Sequence, residues 1–279
     1  MAKKILLTGA TSGFGKMIAK ELLDNGHHLL IAIRGGEKRR TELPLPNHQN
    51  LFVVDLDLSR PEDFFHVSEF IQQNWLGQLD VLINNAGFGQ LGPIEMQSIE
   101  QMERQMQVNL LGPLELTQVC LPFLRSSKGR ILNITSMAAF TVFPFYGLYS
   151  ASKAAFHAAS EALYYELRPM GISVAAIEPG GHKTGFDSRI ELGDRLLDDQ
   201  KIYQERINRF KSFLKLVQDK MSQDPKAVVK LLVRLCEQKT IRPRYVVGSD
   251  AWINLAFRRF IPDRIFVPIQ HWIYQKFFF

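Results

Sequence analysis

Thr8-Gly9-Ala10-Thr11-Ser12-Gly13-Phe14-Gly15 follows a short apolar run, Ile5-Leu6-Leu7, and opens a stretch that reads as a helix. Small residues at such a junction let the backbone turn tightly and come close to a pyrophosphate, which the helix N-terminus then stabilises. The spacing is Gly-x-x-x-Gly-x-Gly. It lacks the Gly-Lys-Ser/Thr ending of a nucleotide-triphosphate loop, which disfavours ATPase chemistry. Placed between a first strand and a first helix, the turn points to a dinucleotide.

Working outward, strand-like and helix-like segments alternate to about residue 180. Strands are expected at 3–8, 28–33, 50–54, 80–84, 130–135 and 172–178. Helices are expected at 14–25, 61–74 (with Ser59 as its cap), 99–124 (broken by Gly112-Pro113) and around 149–168. Short apolar strands separated by helices indicate a parallel sheet covered on both faces, with ligands outside the carboxyl ends of the strands. Beyond Gly180 the rhythm changes. Residues 186–222 are charged and helical in flavour, a helix at 225–238 and a strand at 244–247 return, and an aromatic-rich tail follows. One domain over 1–250, with an extension at 251–279, is the economical division.

With 34 basic and 28 acidic residues among 279, the net charge of +6 is compatible with anionic cofactors, nucleic acid or acidic membranes. The basic residues are dispersed rather than gathered in one stripe, so nucleic acid is not expected as a partner. The two cysteines, Cys120 and Cys236, are far apart and in no metal-ligand spacing; neither a disulfide framework nor a metal site is expected. The N-terminal apolar run is too short for a signal peptide, and a reducing, cytoplasmic setting is the default.

Tyr149 and Lys153 are four residues apart on an expected helix, which puts phenol and ammonium on one face. The positive charge is expected to pull the tyrosine toward a working pH near neutrality, suiting reversible carbonyl/alcohol chemistry. Strand two ends in Arg34-Gly35-Gly36 with no acid to bind adenosine ribose hydroxyls. Arg34 suits a 2′-phosphate instead, so NADP(H) is favoured over NAD(H).

The turn at 8–15, Asn84-Asn85-Ala86-Gly87, Asn109, Ser136, Tyr149-Ser150-Ala151-Ser152-Lys153 and Pro179-Gly180 together resemble the short-chain dehydrogenase/reductase family, in its order and spacing. The resemblance is close over 3–185 and looser over 225–250. It implies a Rossmann-type doubly wound α/β sheet and a catalytic tetrad of Asn109, Ser136, Tyr149 and Lys153. Tyr149 would exchange the proton, Ser136 would bond the substrate oxygen, Lys153 would tune the tyrosine and hold the nicotinamide ribose, and Asn109 would position a water. It also implies cofactor contacts from Gly9, Thr11, Ser12, Gly13, Phe14, Gly15, Arg34, Asp57, Leu58, Asn85, Ala86, Gly87, Tyr149, Lys153, Pro179, Gly180 and Thr184. Ser12 stands where many NADP-preferring relatives carry a second base. That leaves Arg34 as the main phosphate anchor, with Lys16 or Arg39 as helpers.

The apolar loop 137–146, with Phe88 and Leu91, and a helical lid over about 181–222 suit a hydrophobic alcohol or ketone of steroid, retinoid or lipid type. A homodimer or homotetramer is implied by the resemblance. The tail interleaves Trp252, Phe257, Phe260, Phe266, Trp272 and Tyr274 with Arg258, Arg259, Arg264 and Lys276. That pattern fits a peripheral membrane contact or a tail docked on its own domain, with Pro262 and Pro268 interrupting any long helix. A non-catalytic dinucleotide sensor on the same fold is the alternative reading, and a methyltransferase is disfavoured by Arg34.

Overall fold

Residues 1–43, 45, 48–194 and 201–278 are described by the computed structural model. The chain opens with β1 (Lys4–Thr8), α1 (Gly13–Asp24), β2 (His28–Ile33), β3 (Leu51–Asp55), α2 (Phe64–Trp75) and β4 (Val81–Asn84). A short β5 (Gly89–Leu91) precedes α3 (Ile99–Met106), a π-helical turn (Gln107–Leu111) and α4 (Gly112–Ser127). Next come β6 (Arg130–Ile134), α5 (Gly147–Leu167), β7 (Ser173–Pro179) and β8 (Ile190–Leu192). The chain finishes with α6 (Lys201–Met221), α7 (Lys226–Glu237), β9 (Arg244–Val247), α8 (Ser249–Phe260) and α9 (Asp263–Phe278).

Seven strands form one parallel sheet in the order β3-β2-β1-β4-β6-β7-β9. This is the Rossmann-type doubly wound α/β fold. Its period-2 logic is plain in β1, where Ile5 and Leu7 join the core beneath α1 and α7 while Leu6 joins the core beneath α2 and α4. Because helices cover both faces, the strands can be apolar throughout, which is why they read as continuous runs. The strand order reverses between β1 and β4, opening a crevice at their carboxyl ends.

Several sequence expectations give way here. Ser59 does not cap a helix: its hydroxyl and amide both bond the Asp57 carboxylate, while Pro61–Asp63 forms a 3-10 turn before α2. Gly112-Pro113 does not break a helix at 99–124. The irregularity is the π-turn just before it, which ends where Gly112-Pro113 opens α4; the backbone stays helical throughout, and Pro113 brings no amide hydrogen to it. Strands β5 and β8, three residues each, pair in parallel across 101 positions, Gly89 to Ile190; neither was expected.

The tail folds as two helices separated at Pro262, whereas Pro268 sits inside α9 without ending it. Part of the tail docks on the domain: Tyr274 Oη and Gln270 Nε2 donate to Val142 O at 2.9 and 3.2 Å. Of the expected lid, residues 195–200 lie outside the described residues, as does Phe279 of the tail.

Candidate active site

The glycine turn is locked to the end of β4. Thr8 Oγ1 accepts from the Asn85 and Ala86 amides, both at 3.0 Å. Asn85 Nδ2 donates in turn to Thr8 O and Gly9 O, both at 2.9 Å. The Asn85 amide is therefore committed to the turn, and Ala86 and Gly87 face the crevice. Gly9 (φ +70°) has no room for a side chain, because a Cβ would stand 2.7 Å from Ala86 Cα. Ser12 ends the turn in an extended conformation and leaves α1 without a side-chain cap or an acid in its first turn, so the helix N-terminus faces the crevice uncompensated.

On one side of this turn lies a cavity of about 340 Å³, lined by Thr11, Arg34, Arg39, Asp57, Leu58 and Gly87 among others. Burial works against ionisation of Asp57, but the Ser59 hydroxyl and amide, with Arg34 and Arg60, hold its carboxyl below the ordinary range. Arg39 is paired with Glu42 and Lys16 is exposed on α1, outside the lining. On the other side lies a cavity of about 430 Å³ reached by Ser12, Ser136, Tyr149, Lys153, Pro179 and Thr184. Gly13 (φ +58°) lets the Thr184 segment pass close over the turn, at 3.2 Å from an imagined Cβ. Gly180 at the end of β7 is bonded through its amide to Val247 O (2.8 Å) and packs on Asp250.

Asn109, Ser136, Tyr149 and Lys153 converge between the two cavities. Asn109 sits in the π-turn, whose extra residue turns its amide inward. Its Nδ2 donates to Phe88 O (2.9 Å) and Ser152 Oγ (3.1 Å), and its Oδ1 accepts from Phe88 N (3.1 Å). Gly87 lies against both Asn109 Oδ1 and Lys153 Nζ. Ser136 Oγ accepts from Ala138 N at 3.1 Å and bonds the Tyr149 hydroxyl. Lys153 Nζ donates to Ile134 O at 3.0 Å and lies 5.9 Å from the Tyr149 ring centre.

The electrostatics differ from the sequence expectation. Burial pushes the Tyr149 phenol up to about 12, with the Ser136 hydrogen bond pulling the other way. Burial also brings the Lys153 ammonium down to about 8. The sequence places a cation one helical turn away, but both groups are desolvated, and desolvation outweighs the attraction for each. Tyr149 therefore keeps its proton across the neutral range as it stands, available to a strongly basic acceptor, and becomes a base only when further positive charge is close.

The second cavity has an apolar wall. Phe143, Phe186, Phe210, Phe213 and Leu214 line it, with the Tyr149 ring against Tyr146 and Phe186 at 5.5 and 5.7 Å. The α6 residues on this wall were not singled out in the sequence, although α6 falls within the expected lid and Ile207, Phe210 and Leu214 recur at helical spacing in an otherwise charged helix. Phe88 and Leu91 are buried but do not appear on this wall. His182 also lines it, its Nδ1 bonded to Gly180 O at 3.0 Å, and it escaped notice because a lone histidine carries no spacing signal.

A proton donor and a buried lysine stand between a polar, arginine-walled cavity and an apolar one, at the switch point of a parallel sheet. That arrangement defines a dinucleotide-dependent oxidoreductase. The chain belongs to the short-chain dehydrogenase family, whose model matches residues 3–194. It is 37% identical over 193 residues to 3-ketodihydrosphingosine reductase of Bacteroides thetaiotaomicron, covering 68% of each chain. It is 29% identical over 288 residues to retinol dehydrogenase 16 of Rattus norvegicus, covering 97% of this chain and 89% of that one. A short-chain dehydrogenase from Streptomyces avermitilis superposes with a TM-score of 0.80 at 26% identity, covering 97% and 96% of the two chains. A solved serine dehydrogenase of the same fold holds NADP+. The protein is thus an NAD(P)-dependent oxidoreductase acting on CH–OH groups.

Among the described residues no helix is long and apolar enough to cross a membrane, and no cluster of three or more histidine, cysteine or carboxylate side chains could hold a metal ion.

Proposed function

We propose that the protein interconverts a hydrophobic ketone or aldehyde and its alcohol with NADP(H), using Tyr149 as general acid and base. The observation that carries this reading is the placement of Tyr149, which is 8% exposed, with its ring on the apolar cavity and its hydroxyl bonded to Ser136 beside Lys153. The residues fit a nicotinamide dinucleotide. The open α1 N-terminus and the glycine backbone suit a pyrophosphate, Arg34 suits a further phosphate, and Lys153 and Gly87 flank the passage between the cavities. When bound, the cofactor gives or takes a hydride at the substrate carbon.

The chain's own part is to hold the substrate oxygen and move one proton. Tyr149 Oη gives its proton to the oxygen of a carbonyl being reduced, and takes one from an alcohol being oxidised. Ser136 Oγ, already bonded to that phenol, meets the charge growing on the oxygen. The Lys153 charge supports phenolate while it persists, below about pH 8. Asn109 fixes the loop that carries Gly87 against Lys153. The retinol and 3-ketodihydrosphingosine relatives act on lipid-like molecules, which supports the same class for the apolar cavity here.

Screening lipophilic ketones and alcohols with both nicotinamide cofactors tests this reading. The direction of the pH dependence is part of the expected result. The phenol is protonated throughout the neutral range, so reduction should be flat or fall as pH rises from 6 to 9. Oxidation needs phenolate and should rise from pH 6 to about 8, while Lys153 keeps its charge. Oxidation that falls between pH 6 and about 8 would exclude the tyrosine as base.

We also propose that α8 and α9 rest against an anionic lipid surface. Trp252, Phe257, Phe260 and Trp272 are 50–79% exposed, and exposed Arg259, Arg264 and Lys276 lie beside them. The full chain should float with vesicles containing phosphatidylserine, and a Trp252→Ser/Phe260→Ser/Trp272→Ser variant should not. Equal flotation, or none by the parent, would remove the lipid surface.

A further inference from the structure

The sequence leaves Ser12 without the base that would complete a phosphate site in the glycine turn. In the folded chain an arginine arrives from elsewhere. Arg189 ends the short turn Phe186–Arg189, directly before β8, and its Nη2 donates to Ser12 Oγ across 177 positions. The strap that carries it is tied down by β8 pairing with β5, by Arg104 bonding Glu191 at 2.5 Å, and by Gln101 Nε2 donating to Leu192 O at 2.9 Å. Arg189 lines both cavities, so its side chain crosses above the passage between them.

On the adenosine side, Arg189 faces the cavity that also holds Arg34, Thr11 and Asp57. Burial first, and the Arg34 charge second, lower its hold on its proton. Two guanidinium groups brought together from opposite walls of a partly buried cleft repel one another, and a multivalent anion between them relieves that repulsion. The carboxylates nearby are engaged: Glu191 with Arg104, and Asp57 with the Ser59 hydroxyl at 2.7 Å.

We propose that Arg189 and Arg34 form a two-sided clamp on the 2′-phosphate of NADP(H), with Arg189 delivering from the strap the charge that the glycine turn lacks at Ser12. This rests on the cofactor reading above. Arg34 comes from the end of β2 and belongs to the nucleotide half of the fold; Arg189 belongs to the cover over the substrate side. The strap that covers the substrate side therefore also reaches the phosphate side of the cleft.

The test is direct binding, read by quenching of intrinsic fluorescence as NADPH or NADH is added to the full chain and to its Arg189→Met and Arg189→Lys variants. Arg189→Met should weaken NADPH by about 10- to 100-fold and leave NADH within about twofold, as expected for one charge-assisted phosphate contact. Arg189→Lys should recover part of the loss. Unchanged NADH affinity shows that the variant is folded. Equal losses for both dinucleotides would put Arg189 on the pyrophosphate and overturn the clamp, as would no loss for either. If the parent binds NADH but not NADPH, the clamp fails while the oxidoreductase reading stands. If the parent binds neither, the cofactor reading itself is wrong.

Discussion

Replacing Tyr149 with phenylalanine is expected to lower turnover by about 10²- to 10⁴-fold, the range a positioned general acid contributes, while dinucleotide affinity stays within a few-fold. The substitution removes one oxygen. The ring keeps its contacts with Tyr146 and Phe186, and the helix carrying it keeps the Ser152 Oγ to Tyr149 O bond at 2.7 Å. Any loss of activity therefore reports the proton and not the packing. The remaining hydroxyl nearby, Ser136, is poised to donate a hydrogen bond but not to surrender a proton to an alkoxide at neutral pH. Steady-state rates beside a dinucleotide titration check this, and a variant that turns over at the parent's rate would remove Tyr149 from the chemistry.

The second large effect is expected from Gly15→Ala. In an ordinary helix this exchange stabilises by up to about 1 kcal/mol. Here a Cβ would stand 2.1 Å from Gly9 O and 2.6 Å from Asn85 Nδ2. Neither neighbour is a flexible chain end: one is backbone, and the other is held by two hydrogen bonds to the turn. Steric cost therefore outweighs propensity. We expect a net loss of about 1–3 kcal/mol in urea unfolding, with dinucleotide binding abolished because the turn must open to admit the methyl group. A variant as stable as the parent and binding normally would show that the close approach of α1 to β4 is not needed.

Much of the fold is legible in the sequence because its strands are buried on both faces and its turns carry glycine. Ile5-Leu6-Leu7 followed by the glycine turn can be read as little else. Other features have no local sign. Nothing in Gln107-Val108-Asn109-Leu110-Leu111 announces a π-turn, and the bonds that Asn109 makes there to Phe88 span 21 positions. Strands β5 and β8 are too short for any periodicity and exist because each supplies the other's partner. In the tail, Pro262 stands between two helices, whereas Pro268 lies inside α9 at the cost of one backbone hydrogen bond, and its ring alone does not tell the two outcomes apart in the sequence.

At the site, the residues expected from the family pattern come together, and what escaped is what long-range packing decides. Arg189 meets Ser12 only after 177 residues have folded, and the shift of Tyr149 reflects burial that spacing on a helix does not reveal. Asn85, expected beside a ribose, lines the cavity at the glycine turn and also holds that turn through its side-chain amide, which donates to both Thr8 O and Gly9 O.

Whether a hydride and the Tyr149 proton meet on a hydrophobic carbonyl is decided by a single turnover with dinucleotide deuterated at the transferable position and a long-chain ketone, followed by mass analysis of the alcohol. The parent should place deuterium on the carbinol carbon, and Tyr149→Phe, loaded with the same dinucleotide, should release unreacted ketone on that timescale. Transfer at the parent's rate in the variant, or no transfer from any lipophilic carbonyl in the parent, would contradict the account.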